Sequence, residues 1–431
     1  MTSAALPASG PSRAAAQRSR IAVPQRAALG LLASFCVGLG VFLSGFVIRE
    51  PAPYEIYMAA LIGLWALFGL RLSRHIAPLI VLFVVFNIGG MISILTMADT
   101  RDTPMYIAVS LFLAFTAMFY AAIIEAEPRR LRLIFRAWVL AAVITALFGI
   151  LGYFHAIPGG EMFTRYDRAM GVFQDPNVFG PFLVLPSIYL MHGLLTGTLR
   201  AAPLRAVGLM VLTLGVFLSF SRAAWGLFGV SMILMVFALL LKERSGAFRL
   251  KILIMTLIGI ALLIAAVIIA MQFDQVSDLF SNRARLVQDY DGERLGRFER
   301  HKIGFLMAME HPLGIGPLEF GLLWGEDTHN IWLKALMDYG WLGFVSYVVL
   351  INWTFVQGFR YMLRDRPWQP YLMMALIVLA GHTLIGNVID TDHWRHFYLL
   401  MGIVWGCIAL EMRWQQALRG ETRRAPAAKV G

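Results

Sequence analysis

Charged residues are scarce in this 431-residue chain. Lys, Arg, Asp and Glu make up 15% of it and hydrophobic residues 59%, whereas a soluble domain carries about 25% charged residues. This composition excludes a soluble enzyme, a disordered chain and a fibrous protein. Cysteine is nearly absent as well: Cys36 and Cys407 are the only two, each inside an apolar run, which excludes a disulfide framework and a cysteine-based zinc site.

Signatures of nucleotide and metal binding are also missing from the sequence. It has no P-loop, no GxGxxG after a strand, no HExxH, no GxSxG and no EF-hand pattern. Ionisable residues are nearly absent from the centres of the apolar runs, where His382 is the main exception. Because ion-coupled transporters keep charged residues near the bilayer midplane, this scarcity weighs against a transporter.

Twelve apolar runs bounded by charged residues account for most of the chain. Each is long enough to predict a transmembrane helix, and none shows the period-2 alternation of a membrane β-strand. The sequence therefore predicts an all-α polytopic membrane protein with about twelve transmembrane helices. The runs cover residues 27–48, 54–70, 76–97, 105–124, 137–156, 178–196, 206–221, 224–241, 252–272, 341–358, 372–389 and 397–412.

The net charge of +11 follows the predicted topology. With the N-terminus inside, the seven segments on the cytoplasmic side hold 24 of the 37 Lys and Arg residues, as the positive-inside rule requires. The basic charge therefore needs no nucleic acid partner. The seven segments are 1–26, 71–75, 125–136, 197–205, 242–251, 359–371 and 413–431.

The predicted organisation places one long segment on the periplasmic face. Residues 1–26 form a cytoplasmic N-terminal tail and residues 27–272 the first nine spans; residues 341–412 form the last three, followed by a cytoplasmic tail over 413–431. Residues 273–340 then form a long periplasmic loop. We expect the catalytic groups there, because function concentrates in long loops held by a rigid scaffold.

Arg222 is the first candidate for chemistry. It lies in SFSRAAWG, residues 219–226, which predicts a tight outer turn between two spans. An arginine at the membrane boundary is costly unless an anionic group pairs with it. The alternative is that its side chain simply snorkels to the lipid headgroups.

An amphipathic helix is predicted over residues 293–310 of the long loop. Its other faces carry a cluster of basic residues that includes Arg297 and Arg300, and a solvated basic face is the simpler interpretation of them. Pro312 and the glycines that follow it end the helix. Its apolar contacts are expected from Leu295, Phe298, Phe305, Leu306 and Met309.

His329 is the candidate base. Thr328 is a plausible N-cap, which would place His329 in the first turn of the helix that returns to the membrane. A histidine there can accept a proton near neutral pH. The alternative is a structural histidine paired with a carboxylate such as Asp327.

The segment DTDHWRHF, residues 390–397, lies at another outer helix end. Two interpretations stay open, a metal site and a polar cap on a short loop, and the weak spacing favours the cap. The potential metal ligands are Asp390, Asp392, His393 and His396.

Four motifs, in this order, resemble the O-antigen ligase and polysaccharide polymerase family of bacterial inner-membrane glycosyltransferases. The resemblance covers about residues 170–345, and the earlier spans match only in number and hydropathy. Many members carry an aromatic residue where this chain has His301, which is a departure from the pattern. The motifs are GVFQDPNVFGPFL (171–183), SFSRAAWG (219–226), the arginine followed by His-Pro-x-x-Gly-x-Gly in GRFERHKIGFLMAMEHPLGIG (296–316), and THNIWLKALMDYGWLG (328–343).

The resemblance implies transfer of a glycan from undecaprenyl-pyrophosphate to a hydroxyl on the periplasmic side of the inner membrane, by an inverting reaction without metal or cofactor. The first expectation is an O-antigen ligase, whose acceptor is lipid A-core. The alternative is an O-antigen or exopolysaccharide polymerase, whose acceptor is a second carrier-linked glycan. A lipid-linked glycan flippase or transporter is the alternative from a different class. Besides these substrates, membrane lipids are the expected partners.

The resemblance also assigns roles to individual residues. By their positions in the motifs, Arg222 and Arg297 are expected to bind the pyrophosphate and His329 to be the catalytic base. Arg300, one turn from Arg297, is expected to assist. The loop at 157–177 adds weaker candidates for the same phosphate-binding role, Arg165 and Arg168.

Overall fold

The computed structural model describes residues 13–100, 102–283 and 296–424. Helices dominate these residues, and the described strands form one short antiparallel hairpin, β1 (Thr164–Arg165) with β2 (Arg168–Ala169). The first ten helices are α1 (Arg13–Leu43), α2 (Pro53–Leu67), α3 (Ala77–Ile94), α4 (Thr103–Ala126), α5 (Arg130–Tyr153), α6 (Pro176–Phe182), α7 (Val184–Thr196), α8 (Ala202–Leu218), α9 (Arg222–Lys242) and α10 (Gly246–Ala270). The remaining helices are α11 (Asp274–Arg283), α12 (Arg297–Glu310), α13 (Glu319–Trp324), α14 (Ile331–Tyr361), α15 (Gln369–Ile385) and α16 (Arg395–Arg424).

The apolar helices match the predicted spans. Nine helical segments among the described residues are long and apolar enough to cross a bilayer, and three shorter ones, Ala28–Leu43, Pro53–Leu67 and Gln369–Ile385, are also apolar. Each of the twelve predicted runs overlaps one of these segments. The chain is therefore an all-α polytopic membrane protein, and the number of twelve crossings stays a prediction.

Close helix packing in the bundle depends on small residues. Helices α3 and α14 meet at Gly89, where an added Cβ would lie 2.5 Å from the backbone oxygen of Tyr339 and 2.7 Å from the nitrogen of Gly343. Helices α4 and α16 meet in the same way at Gly402, whose Cβ would lie 2.7 Å from the backbone oxygen of Ala117. A side chain at either glycine would push the helices apart.

Helices α6 and α7 form one membrane-length segment interrupted by proline. Pro186 has no backbone N–H and leaves the carbonyl of Phe182, four residues earlier, without its helical donor. Trp138 on α5 fills that role, because its indole N–H donates to this carbonyl at 3.2 Å. A neighbouring helix thus satisfies the backbone group, as a lipid environment requires.

Helix α14 is broken at Gly340. This residue has φ 62° and ψ −173°, a left-handed conformation that favours glycine. The break separates residues 331–339 from residues 341–361, and the sequence predicts the span to begin at residue 341. The backbone after α12 packs against the break, since a Cβ on Gly340 would lie 2.6 Å from the carbonyl carbon of Leu313.

The expected packing face of α12 is wrong. The helix begins at Arg297 in the described residues, and the part of the predicted helix before residue 296, including Leu295, lies outside them. The expected contacts Phe298, Phe305, Leu306 and Met309 are all exposed. The buried residues are Arg300, Gly304 and Ala308, because the small residues allow α12 to approach α14 closely.

The expected N-cap of α14 is also wrong. Asn330, and not Thr328, caps the helix: its side-chain oxygen accepts hydrogen bonds from the backbone N–H groups of Trp332 and Leu333, each at 3.1 Å. His329 therefore precedes the helix and has φ 51°. The Thr328 side chain is buried instead.

Adding a methyl group at Gly89 is expected to destabilise the bundle. Gly89→Ala forces apart the backbones of α3 and α14, and overpacking of this kind costs about 1–3 kcal/mol, so the melting temperature in detergent should fall. Gly63→Ala is the matched control, because its Cβ has open space within 4 Å. Equal melting temperatures for the two variants would contradict the close contact.

Candidate active site

A cavity of about 570 Å³ opens at the end of the bundle that carries residues 154–175 and 296–330, which we call the loop end. Its lining combines polar residues with a set of apolar residues, most of them from α9, α15 and the segment after α15, which we call the apolar wall. The polar lining residues are Arg168, Asn177, Ser221, Arg222, Arg297 and His329. The apolar ones are Phe220, Ala223, Leu227, Val230, Phe298, Leu384, Ile385, Val388 and Ile389, with Gly226 and Gly381 between them.

Arg222 reaches the cavity from the first residue of α9. The predicted tight turn between α8 and α9 is present, with Phe220 in a left-handed conformation (φ 44°). The Ser221 hydroxyl caps α9 by accepting a hydrogen bond from the N–H of Ala224 at 3.3 Å. The guanidinium is thus presented at a helix N-terminus, which itself favours anions.

Arg168 lies in the cavity because a hairpin turns it inward. Its Nε donates to the carbonyl of Ser219 at 2.7 Å, and its NH2 group donates to the side-chain oxygen of Asn177 at 2.8 Å. The side chain is 6% exposed. The hairpin turn uses Tyr166 and Asp167, both with positive φ.

Arg165 belongs to the same hairpin but does not line the cavity. It is exposed, donates to the carbonyl of Gln174 at 2.9 Å and lies against the ring of Tyr166. Residues 165 and 168 face each other across the hairpin, yet only the second arginine points to the cavity.

Arg297 and Arg300 point in different directions although they lie one turn apart. Arg297, at the start of α12, lines the cavity. Arg300 does not; it is buried, and its NH1 group lies 2.5 Å from a carboxylate oxygen of Glu326. Hydrogen bonding from Arg300 lowers the pKa of Glu326 and ties α12 to the loop that carries His329.

His329 pairs with Asp390. Its Nδ1 lies 3.1 Å from Oδ2 of Asp390, a partner 61 residues away in the chain. The structural alternative named Asp327, which is not the partner. Since a carboxylate only accepts, the geometry assigns the ring proton to Nδ1. Nε2 of the neutral ring then keeps its lone pair, and the half-exposed side chain lines the cavity.

Lys334 holds together the two loops that carry this pair. Its buried ammonium lies 3.3 Å from Asp327 and 3.8 Å from Asp392. Burial disfavours the ionised form of Asp392, but Lys334 and His393 outweigh that effect and lower its pKa. An ionised Asp392 therefore balances the buried cation.

The segment over residues 390–397 provides side-chain contacts. Asp390 binds His329, and Asp392 contacts Lys334, His393 and the hydroxyl of Tyr106. Among the residues that the structure describes, no group of three or more His, Cys, Asp or Glu side chains is arranged to hold a metal ion. The sequence suggested these carboxylates as metal ligands or caps and did not identify Asp390 as the partner of His329.

His301 supports the His329 loop from α12. Its Nε2 lies 2.7 Å from the carbonyl of Thr328; because a carbonyl only accepts, Nε2 carries the proton. Burial lowers the pKa of His301; the Thr328 hydrogen bond opposes this shift, and Arg297 and His329 add to it. The i, i+4 spacing from Arg297 could have placed His301 near the cavity from sequence alone.

We expect His301 to make stability depend on pH. Because folding lowers its pKa below the ordinary value of about 6.5, the folded state prefers the neutral ring. This contribution is present above that value and is lost as the pH falls through the folded pKa. His301→Gln keeps an N–H donor without titrating, so its melting temperature should fall less than that of the wild type between about pH 7.5 and 5.5.

The matched control for this measurement is His311→Gln. His311 is exposed just beyond the end of the same helix, and its variant should show the wild-type fall in melting temperature. An identical fall in all three proteins would contradict the role of His301.

Comparison with known proteins finds one family that matches part of the chain. Residues 207–348 match the family model described as O-antigen ligase. The matched segment contains Arg222, Arg297 and His329, whereas Arg168 and Asp390 lie outside it. No curated protein matches the chain. Over residues 207–348, about a third of the chain, the sequence is therefore similar to the O-antigen ligase family, as its motifs predict.

Proposed function

We propose that the protein is an inner-membrane glycosyltransferase, most specifically an O-antigen ligase, that transfers a glycan from undecaprenyl-pyrophosphate to a hydroxyl of lipid A-core on the periplasmic side. The observation that carries the proposal is that one cavity joins three arginines and a histidine to an apolar wall. A lipid-linked pyrophosphate has the same division into a doubly charged head and a hydrocarbon chain.

The donor is proposed to bind with its pyrophosphate among Arg168, Arg222 and Arg297. Guanidinium groups bind phosphate oxygens in bidentate fashion and keep their charge at all physiological pH values. The isoprenoid chain would lie along the apolar wall, where Leu384 and Val388 are exposed. The cavity is thus suited to a substrate that stays in the membrane while its head reaches the loop end.

His329 is proposed to activate the acceptor. Nε2 takes the proton of the acceptor hydroxyl, whose oxygen attacks the anomeric carbon as the bond from that carbon to the pyrophosphate oxygen breaks. Undecaprenyl-pyrophosphate leaves with the bonding electrons, and the arginines stabilise the negative charge that develops on it. Asp390 holds the ring through Nδ1–H and stabilises the imidazolium. A single displacement inverts the anomeric centre.

The energy and the orientation are consistent with this reaction. The periplasm has no ATP, so the driving force must be stored in the sugar–pyrophosphate bond, and the arginines take the place of the divalent metal that many glycosyltransferases use. The positive-inside distribution of Lys and Arg supports a loop end that faces the periplasm. Polymerisation of a second carrier-linked glycan would use the same cavity and the same residues, and is the alternative within the family.

Loss of His329 is the first test of this proposal. In a strain that lacks its own copy of the gene, His329→Ala should reduce transfer by about 10²–10⁴-fold, the contribution of a general base, and Asp390→Asn should reduce it less. Lipopolysaccharide and carrier-linked glycan are resolved on the same gel. His311→Ala, an exposed histidine, is the control and should transfer normally.

The same gel distinguishes a ligase from a polymerase. Long carrier-linked chains that never reach lipid A-core indicate a ligase, and single repeat units indicate a polymerase. Lipid translocation that continues in a purified His329→Ala protein would instead support a flippase. Normal transfer by His329→Ala would contradict the proposed base.

Arg222→Lys tests the phosphate-binding role. A lysine keeps the positive charge but loses the planar fork, so transfer should fall by about 10–100-fold, near the cost of losing one charge-stabilising donor. Arg165→Lys is the matched control, since Arg165 is exposed and outside the cavity, and should keep wild-type transfer. Equal activities of the two variants would count against phosphate binding at Arg222.

A further inference from the structure

Helix α12 carries an apolar strip that faces away from the protein. Phe298, Phe305 and Met309 are spaced seven and four residues apart, so they lie along one line of the helix surface. Their exposed fractions are 65%, 52% and 40%. The helix packs on α14 through a neighbouring side, at Gly304 and Ala308, so the strip does not take part in that contact.

The acidic residues on the exposed side of α12 lie at one edge of it, away from the apolar strip. Glu299 and Glu310 are exposed, and each follows a strip residue directly, which places it about 100° further around the helix. Lys302 and Leu306 are also exposed and lie between the strip and the glutamates. The exposed side thus has an apolar edge, an intermediate region with one lysine and one leucine, and an acidic edge, the order expected across a boundary between lipid and water.

Both ends of α12 lie level with the ends of membrane helices. At its N-terminal end Phe298 lines the cavity together with Leu384 and Val388, at and just after the end of α15. Beyond its C-terminal end, the carbonyl of Pro312 accepts a hydrogen bond from the N–H of Trp341 at 3.1 Å. The helix therefore runs along the loop end of the bundle, at the height where the spans leave the bilayer.

The apolar strip is continuous with lipid-facing surface at both ends. Leu384 and Val388 are exposed at one end, and Leu313, Trp341 and Leu342 at the other. Aromatic residues are enriched at this level of membrane proteins, and a lysine stem can run along apolar surface while its ammonium reaches the headgroups. Continuity with the lipid-facing surface favours lipid over a protein partner.

We propose that Phe298, Phe305 and Met309 form a membrane anchor that inserts between the lipids of the leaflet at the loop end. As for other interfacial helices, the apolar edge lies about 5–10 Å into the boundary between headgroups and acyl chains. Lys302 reaches the lipid phosphates, and Glu299 and Glu310 stay in water. The anchor does not depend on the chemistry of glycan transfer.

Site-directed fluorescence quenching tests the anchor in the full-length protein. Cys36 and Cys407 are replaced by Ser and Ala, and a single cysteine with an NBD label is introduced by Phe305→Cys, Met309→Cys or Glu310→Cys. The proteins are placed in nanodiscs of phosphatidylethanolamine and phosphatidylglycerol. Two quenchers are compared, a lipid that carries a nitroxide on its acyl chain near the headgroup, and aqueous iodide.

Labels at 305 and 309 should be quenched by the nitroxide lipid, shielded from iodide and blue-shifted in emission. The label at 310 is the matched control on the same turn and should show the reverse pattern. Iodide quenching of all three labels would overturn the proposal. Shielding of 305 and 309 from both quenchers would also overturn it, because protein would then cover the strip; wild-type melting temperatures check that the variants are folded.

Discussion

The buried ammonium of Lys334 organises the loop end of the bundle. The Lys334 ammonium lies between the carboxylates of Asp327 and Asp392, and removing the partners of a buried charge costs about 3–5 kcal/mol. The two loops that carry these carboxylates must therefore approach each other. Asp327 precedes His329 by two residues and Asp392 follows Asp390 by two, so the requirement to neutralise one lysine also brings the histidine and its carboxylate within 3.1 Å.

Patterns that are local in sequence predicted much of this structure. The apolar runs coincide with the apolar helices because burial in lipid acts on every residue of a span. The turn at Arg222 and the end of α12 before Pro312 follow from capping and proline chemistry that works over a few residues. The resemblance to the O-antigen ligase family is confirmed over residues 207–348, and Arg222, Arg297 and His329 line the same cavity.

Features that depend on distant contacts were not predictable in the same way. The partner of His329 comes from a loop 61 residues away, and the nearer Asp327 is held by Lys334 instead. The face of α12 that packs on α14 is set by the space available beside α14. Small residues fill that space, and the large apolar residues that a helical wheel assigns to packing point outward. Arg168 and Arg165 differ because only one of them points inward from the hairpin. Its strands have two residues each, too few to show the alternating pattern by which a strand is predicted from sequence.

Helix α12 connects the break in α14 to the cavity. Gly304 lies near the middle of this 14-residue helix, where a Cβ would touch Thr328, Leu333 and Met337 at 3.1–3.3 Å, and the whole helix is about 20 Å long. Its far end is followed by Pro312, which is hydrogen bonded beside the break in α14. One continuous helix joins the two ends, so a constraint at the Pro312 end also constrains the Arg297 end. The position of a cavity arginine is therefore set in part by a backbone contact at the other end of the helix.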